Sequence, residues 1–231
     1  MDFYGFEKLS LVDYDGYISA TLFTGGCNMR CPFCHNGSLV LGLEDINKVP
    51  FTTIYKYLEK RKGMLEAVCI TGGEPTIMPD LESYVVKIKK LGYKVKLDTN
   101  GSNPSVLKQL INKNLLDYIA MDIKNSEKDY YKTIGTSLIS LQNIKDSINI
   151  IKNSNIKYEF RTTLVKEFHT LSSANGILEL VGDNVDKMVL QHFKESPDII
   201  KKGLNELAYE DALKFRNILS KKINTVLLRG Y

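Results

Sequence analysis

The chain has 231 residues, of which 43% are hydrophobic and 25% charged, and its formal net charge is +4. That length can bury a substantial core, and the balance is that of a globular protein rather than a disordered or fibrous one. The charge is too small to point to nucleic acid, and no apolar run approaches the roughly 20 residues that span a bilayer.

The first residues, MDFYGFEKLS, lack a basic stretch followed by a long apolar run. No signal peptide is therefore expected, and the cytoplasm is the expected location. The first strand is predicted at residues 17–23, YISATLF. Next comes TGGCNMRCPFCHNGSLV, Thr24 to Val40, a polar, glycine-flanked loop holding Cys27, Cys31 and Cys34. In a cytosolic protein such a cluster reads as metal-binding or catalytic rather than as disulfide-forming. Strands follow at 66–71 (EAVCIT), 94–99 (KVKLDT), 116–123 (LDYIAMDI), 157–165 (KYEFRTTLV) and 186–193 (DKMVLQHF), with a last short run at 224–228. Four helices are predicted between them. One starts at Asp80 as cap, places Leu81, Tyr84, Val85, Ile88 and Leu91 on one face, and stops at Gly92. The second opens on Asn103 and Pro104, with Val106, Leu107, Leu110 and Ile111 in line. The others cover 142–151 and 211–219.

Strand–helix alternation implies a parallel sheet with helices on its faces. About six units are too few for a closed eight-unit barrel. The expected fold is an α/β partial (β/α)6 barrel of the TIM type, open on one side, with a doubly wound sheet as the alternative. A single domain is expected over residues 1–231, with its core at about 17–193 and a helix and short strand at 208–228. Either fold puts function at the C-terminal ends of the strands.

Three ligand sets compete for the C-x3-C-x2-C spacing. Structural zinc wants four closed ligands, commonly two pairs. No second pair exists here. His35, one residue after Cys34, is sterically awkward as a fourth, and His169 and His192 are distant in sequence. An electron-transfer iron–sulfur centre takes four cysteines. The remaining option is a four-iron cluster with one iron not bound by protein. Cys69, alone in an apolar strand, reads as a buried small residue and not as a ligand.

With Phe33 before its last cysteine, this triad resembles the signature of the radical S-adenosylmethionine family. The resemblance implies a 4Fe–4S cluster on Cys27, Cys31 and Cys34. Its open iron chelates S-adenosylmethionine, and an electron from the cluster gives methionine and a 5′-deoxyadenosyl radical. TGGEP at 71–75 is, alone, a common turn. After the triad it resembles the family's GGEP motif, which assigns Gly72, Gly73 and Glu74 to the methionine amino group. LDTNG at 97–101 alone reads as a turn, and MDIK at 121–124 as a surface ion pair. Both resemble the activases of glycyl radical enzymes. That implies Asp98, Thr99 and Asp122 near the cofactor carboxylate, a monovalent cation among them, and Lys124 in contact with the cofactor. Arg161, in FRTT, matches an arginine pairing with the same carboxylate, its alternative being an exposed strand residue. His192 is assigned to the same pocket, with a hydrogen-bonded structural histidine as its alternative.

The resemblance runs from Tyr17 to about Phe193 and is greatest to the activating proteins of anaerobic ribonucleoside-triphosphate reductase. No cysteine falls between 34 and 69, so the eight-cysteine insert of many such activases is absent. The implied activity is hydrogen abstraction from a glycine of a partner glycyl radical enzyme, with flavodoxin or ferredoxin as electron donor. No catalytic side chain beyond the cluster and cofactor is assigned. Two rival readings stand beside it: a radical enzyme acting on a small molecule, of the 7-carboxy-7-deazaguanine synthase type, and a non-catalytic iron–sulfur electron-transfer module.

Overall fold

The computed structural model describes residues 2–231. The chain opens with β1 (Asp2–Phe3), β2 (Gly5–Ser10) and β3 (Ser19–Thr24). After the cysteine loop come α1 (Gly37–Leu41), β4 (Val49–Pro50), α2 (Phe51–Lys60) and β5 (Ala67–Gly72). Then α3 (Leu81–Lys90), β6 (Lys94–Thr99), α4 (Pro104–Asn112) and β7 (Tyr118–Asp122) alternate. The second half contains α5 (Tyr130–Ile134), α6 (Leu141–Lys152), β8 (Lys157–Leu164), α7 (Leu171–Val181), β9 (Val185–His192), α8 (Tyr209–Leu219) and β10 (Ile223–Arg229).

Eight strands form one sheet in the order β10-β9-β8-β7-β6-β5-β3-β2. Every pairing is parallel except β2 with β3. β10 and β2 lie at opposite edges and do not pair, so the fold is a partial barrel, open on one side. The six strands expected from the sequence are its centre. The short C-terminal run is a seventh parallel strand, and β2 adds an antiparallel edge that carries no sequence signal of its own. β1 pairs with β4 in a separate antiparallel ribbon.

Alternation along each strand separates two faces. Val95, Leu97, Ile70 and Phe160 are fully buried in the apolar core. At about 1.5–3 kcal/mol for each fully buried large side chain, such contacts supply most of the favourable free energy of folding. The opposite face is polar. Register sets Thr21 beside Cys69 and Cys69 beside Lys96, and it sets Asp122 beside Arg161.

α3 buries Leu81, Tyr84, Val85 and Ile88 as its spacing dictates. The expected caps are replaced. Neither the Asp80 nor the Asn103 side chain caps its helix. Asn103 instead donates to the Thr76 carbonyl at 3.0 Å. α6 starts at Leu141, where the Ser140 hydroxyl accepts from Gln142. α2 and α7 are additional to the four helices expected, and α7 begins with a Thr170–Ser173 capping box.

Candidate active site

Thr24, Gly72, Thr99 and Asp122 end β3, β5, β6 and β7, so four loops leave the sheet on the same side. Their side chains line a cleft with a cavity volume of about 180 Å³. Cys27, Cys31, Phe33, Cys34, Gly72, Gly73, Glu74, Asp98, Thr99, Asp122, Lys124 and Arg161 all border it. Twelve residues scattered over 135 positions of sequence thus share one cavity.

The cysteine loop is held by backbone on both sides. Gly73 donates to the Thr24 carbonyl at 2.9 Å, and Glu74 to the Gly26 carbonyl at 2.8 Å. A Cβ on Gly73 would sit 1.9 Å from the Gly26 oxygen, and one on Gly72, at φ +112°, would sit 2.5 Å from the Thr24 nitrogen. These two glycines are therefore required by the approach of the cysteine loop itself. Asn36 adds a bond from Nδ2 to the Gly72 carbonyl at 2.9 Å.

The segment after β9 clamps the other flank. The Lys201 amide donates to the Pro32 carbonyl, and the Asp198 carboxylate accepts from both the amide and hydroxyl of Ser38, all at 2.9 Å. His35, awkward as a metal ligand in the sequence, donates Nε2 to the Lys194 carbonyl at 2.8 Å. Phe33 is buried against Phe168 and His169.

Burial pushes all three thiols up, Cys31 to about 12. The nearby Lys124 ammonium opposes the shift at each one. His169 holds that lysine's backbone, donating Nε2 to the Lys124 carbonyl at 2.9 Å. Among the described residues, no three His, Cys, Asp or Glu side chains converge as ligands of one metal ion do. Three thiols border one cleft, the number that leaves one iron of a four-iron cluster without a protein ligand. Cys69 is fully buried in β5, outside the residues lining the cleft.

Glu74 is 1% exposed and accepts four hydrogen bonds. Oε1 takes the Thr76 amide at 3.0 Å, the Thr76 hydroxyl at 2.6 Å and the Thr99 hydroxyl at 2.7 Å. Oε2 takes the Asn100 amide at 2.6 Å. Burial raises its pKa above the usual carboxylate value, and these donors work against the rise.

Asp98 and Asp122 behave oppositely. Arg161 reaches Asp98 Oδ2 through Nη1 and Asp122 Oδ1 through Nε, each at 2.9 Å. Lys96 lies 2.9 Å from Asp98 Oδ1, and Lys124 lies 2.8 Å from Asp122 Oδ2. Burial alone would raise both carboxyls, but these cations outweigh it. Asp98 is lowered, and Asp122 falls to about 2. Three cations face two carboxylates, so this wall is net positive.

His192 is not among the residues lining the cleft. Its Nδ1 lies 3.0 Å from the Gly230 carbonyl, its Nε2 lies 2.9 Å from Glu206, and its ring packs on Tyr231. Both nitrogens are engaged at the β10 edge. Lys96 and Asn100 were not singled out in the sequence. A lysine two residues before Asp98, in an otherwise buried strand, was the available signal for the first.

Residues 21–171 match the model of the radical SAM superfamily. The chain belongs to the radical SAM superfamily. This radical SAM protein is 32% identical over 232 residues to a Methanocaldococcus jannaschii protein provisionally named a glycyl-radical enzyme activating enzyme, covering 97% of this chain and 94% of that one. It is 26% identical over 167 residues to the pyruvate formate-lyase-activating enzyme of Clostridium pasteurianum, covering 69% of this chain and 66% of that one. Its fold is shared with Streptococcus suis SuiB bound to S-adenosylmethionine, at a TM-score of 0.66 and 16% identity. That match covers 87% of this chain and 48% of the longer protein. The superfamily implies a 4Fe–4S cluster and S-adenosylmethionine, and the donors in the cleft fit both. No helix among the described residues is long and apolar enough to cross a membrane.

Proposed function

We propose that this chain is an activase that installs a radical on a glycine of a partner enzyme, with an anaerobic ribonucleoside-triphosphate reductase as the first partner to test. The likeness to the archaeal activating protein across 97% of the chain carries this reading. The cleft supports its chemistry through two oppositely charged subsites.

In this reading Cys27, Cys31 and Cys34 ligate three irons of a 4Fe–4S cluster. A bound cluster would supply the electron that cleaves S-adenosylmethionine to methionine and a 5′-deoxyadenosyl radical. The chain's own residues bind and orient. Glu74, surrounded by neutral donors, is the acceptor assigned to the cofactor's ammonium. The net-positive wall of Lys96, Asp98, Arg161, Asp122 and Lys124 receives its carboxylate, and the Thr99 hydroxyl holds Glu74 in place. A zwitterionic amino-acid head is thereby fixed in one direction, and Phe33 closes the wall near the thiols. The gap between β10 and β2 leaves the barrel open at its side, as a polypeptide substrate requires. The electron donor in this reading is an external flavodoxin or ferredoxin, and the setting is the cytoplasm.

The test is an anaerobic reconstitution with reductant, S-adenosylmethionine and a candidate reductase, read by paramagnetic resonance. A glycyl doublet on the partner is expected. Cofactor cleavage without a doublet across several candidate partners would count against the activase reading. Conversion of a small molecule with no second protein would replace it.

A further inference from the structure

Asn100 follows the last residue of β6 and is 6% exposed. It contacts both the thiol loop and the Glu74 carboxylate. Its backbone amide donates to Glu74 Oε2 at 2.6 Å. Its Oδ1 accepts from the Ser102 amide at 2.9 Å. Its Nδ2 donates to Asn28 Oδ1 at 2.9 Å and approaches Cys27 Sγ at 3.8 Å. Asn28 in turn donates to the Ser102 hydroxyl at 2.8 Å. The orientation of the amide is therefore determined: a backbone N–H can bond only to its oxygen, so the NH2 group faces Asn28 and Cys27. One N–H serves Asn28, and the other is left for sulfur.

We propose that Asn100 is a positioning residue that joins the Cys27 thiolate and the Glu74 carboxylate in one rigid unit and sets the reduction potential of the cluster through its N–H to sulfur. The inference rests on the reading of Cys27 as a cluster ligand. Its physical basis is charge. Reduction adds an electron to a cluster whose charge is shared with its sulfurs, so a donor to sulfur stabilises the reduced form more than the oxidised form. The contact is long, but it lies in a buried, low-dielectric setting where such interactions are strengthened. The Met29 amide, 3.3 Å from the same sulfur, is supplied by the backbone and is indifferent to side-chain substitution. Asn100 is the adjustable donor.

The experiment compares wild type, Asn100→Asp, Asn100→Ala and, as control, Asn103→Ala. Asn103 shares the loop but bonds to Thr76 and Ser105. Each protein is reconstituted anaerobically, its iron and sulfide are counted, and its cluster potential is measured by redox titration followed by paramagnetic resonance. Both Asn100 variants are expected to hold the cluster at a lower potential. For Asn100→Ala the one-electron reduction should become about tenfold less favourable, about 59 mV. Asn100→Asp should fall further, because it replaces the donor with a negative charge, and Asn103→Ala should match wild type. Asn100→Asp keeps the oxygen that accepts from Ser102, so it decides the matter if Asn100→Ala loads poorly. Unchanged potentials with a full cluster, an equal shift in Asn103→Ala, or loss of the cluster from Asn100→Asp would each overturn the inference while leaving the function standing. A wild-type protein that takes up no cluster would overturn both.

Discussion

Arg161 Nε lies 2.9 Å from Asp122 Oδ1, a pair set side by side by the register of β8 and β7. The same guanidinium reaches across β7 to Asp98 on β6. One fork thus neutralises two carboxylates from different strands. Arg161→Ala should leave both buried acids short of a cation and lower stability by about 3–5 kcal/mol. Arg161→Lys should recover only part of this, since an ammonium cannot span both acids with the same planar geometry. Urea unfolding of the cluster-free protein measures it.

The same network predicts the response to acid. Asp122 falls from an ordinary value of 3.8 to about 2 in the folded protein. A depressed carboxyl pKa stabilises the fold at pH above the unfolded value, and that contribution is lost as pH falls through the folded one. The denaturant midpoint of the cluster-free protein should therefore decline between about pH 4 and 2. Arg161→Ala should flatten that decline. An identical pH profile in the variant would show that Arg161 is not its source.

The two kinds of cysteine should separate cleanly. Cys31→Ala should abolish iron–sulfur incorporation and cofactor cleavage together. Cys69→Ala should leave both largely intact, because its thiol sits inside the sheet. Iron and sulfide content with visible absorption distinguishes them, and cluster loss in Cys69→Ala would refute the three-thiol assignment.

Gly73→Ala should act at a distance on the thiols. Its methyl group has no room against the Gly26 oxygen at 1.9 Å, so the cysteine loop must move. The expected result is a lower melting temperature and poor cluster retention, although no ligand is altered. Retention at the wild-type level would mean that the loop tolerates displacement.

Much of the site was legible because its chemistry is local. Three cysteines in eight residues, two glycines before Glu74 and an acid at the end of each of two strands are patterns of neighbours. The strands themselves followed from β-branched runs bounded by turns. Caps were less legible. Asn103 bonds instead to the carbonyl of a residue 27 positions away. β2 was invisible because its alternation is broken by a bulge-like shift in register between Glu7 and Ser10.

His192 marks the boundary between the two kinds of information. Strand position alone put it near the cofactor pocket, yet its ring is held by Glu206 and by Gly230, 38 residues away. Donor types, their order along the chain and the strand ends that carry them follow from local sequence. Which of them meet depends on the folded sheet. Contacts between non-adjacent strands depend on register and sheet curvature, which no short stretch encodes. That is why the charge separation of the cleft, Glu74 among neutral donors and Asp98 and Asp122 among three cations, could be seen only in the folded chain.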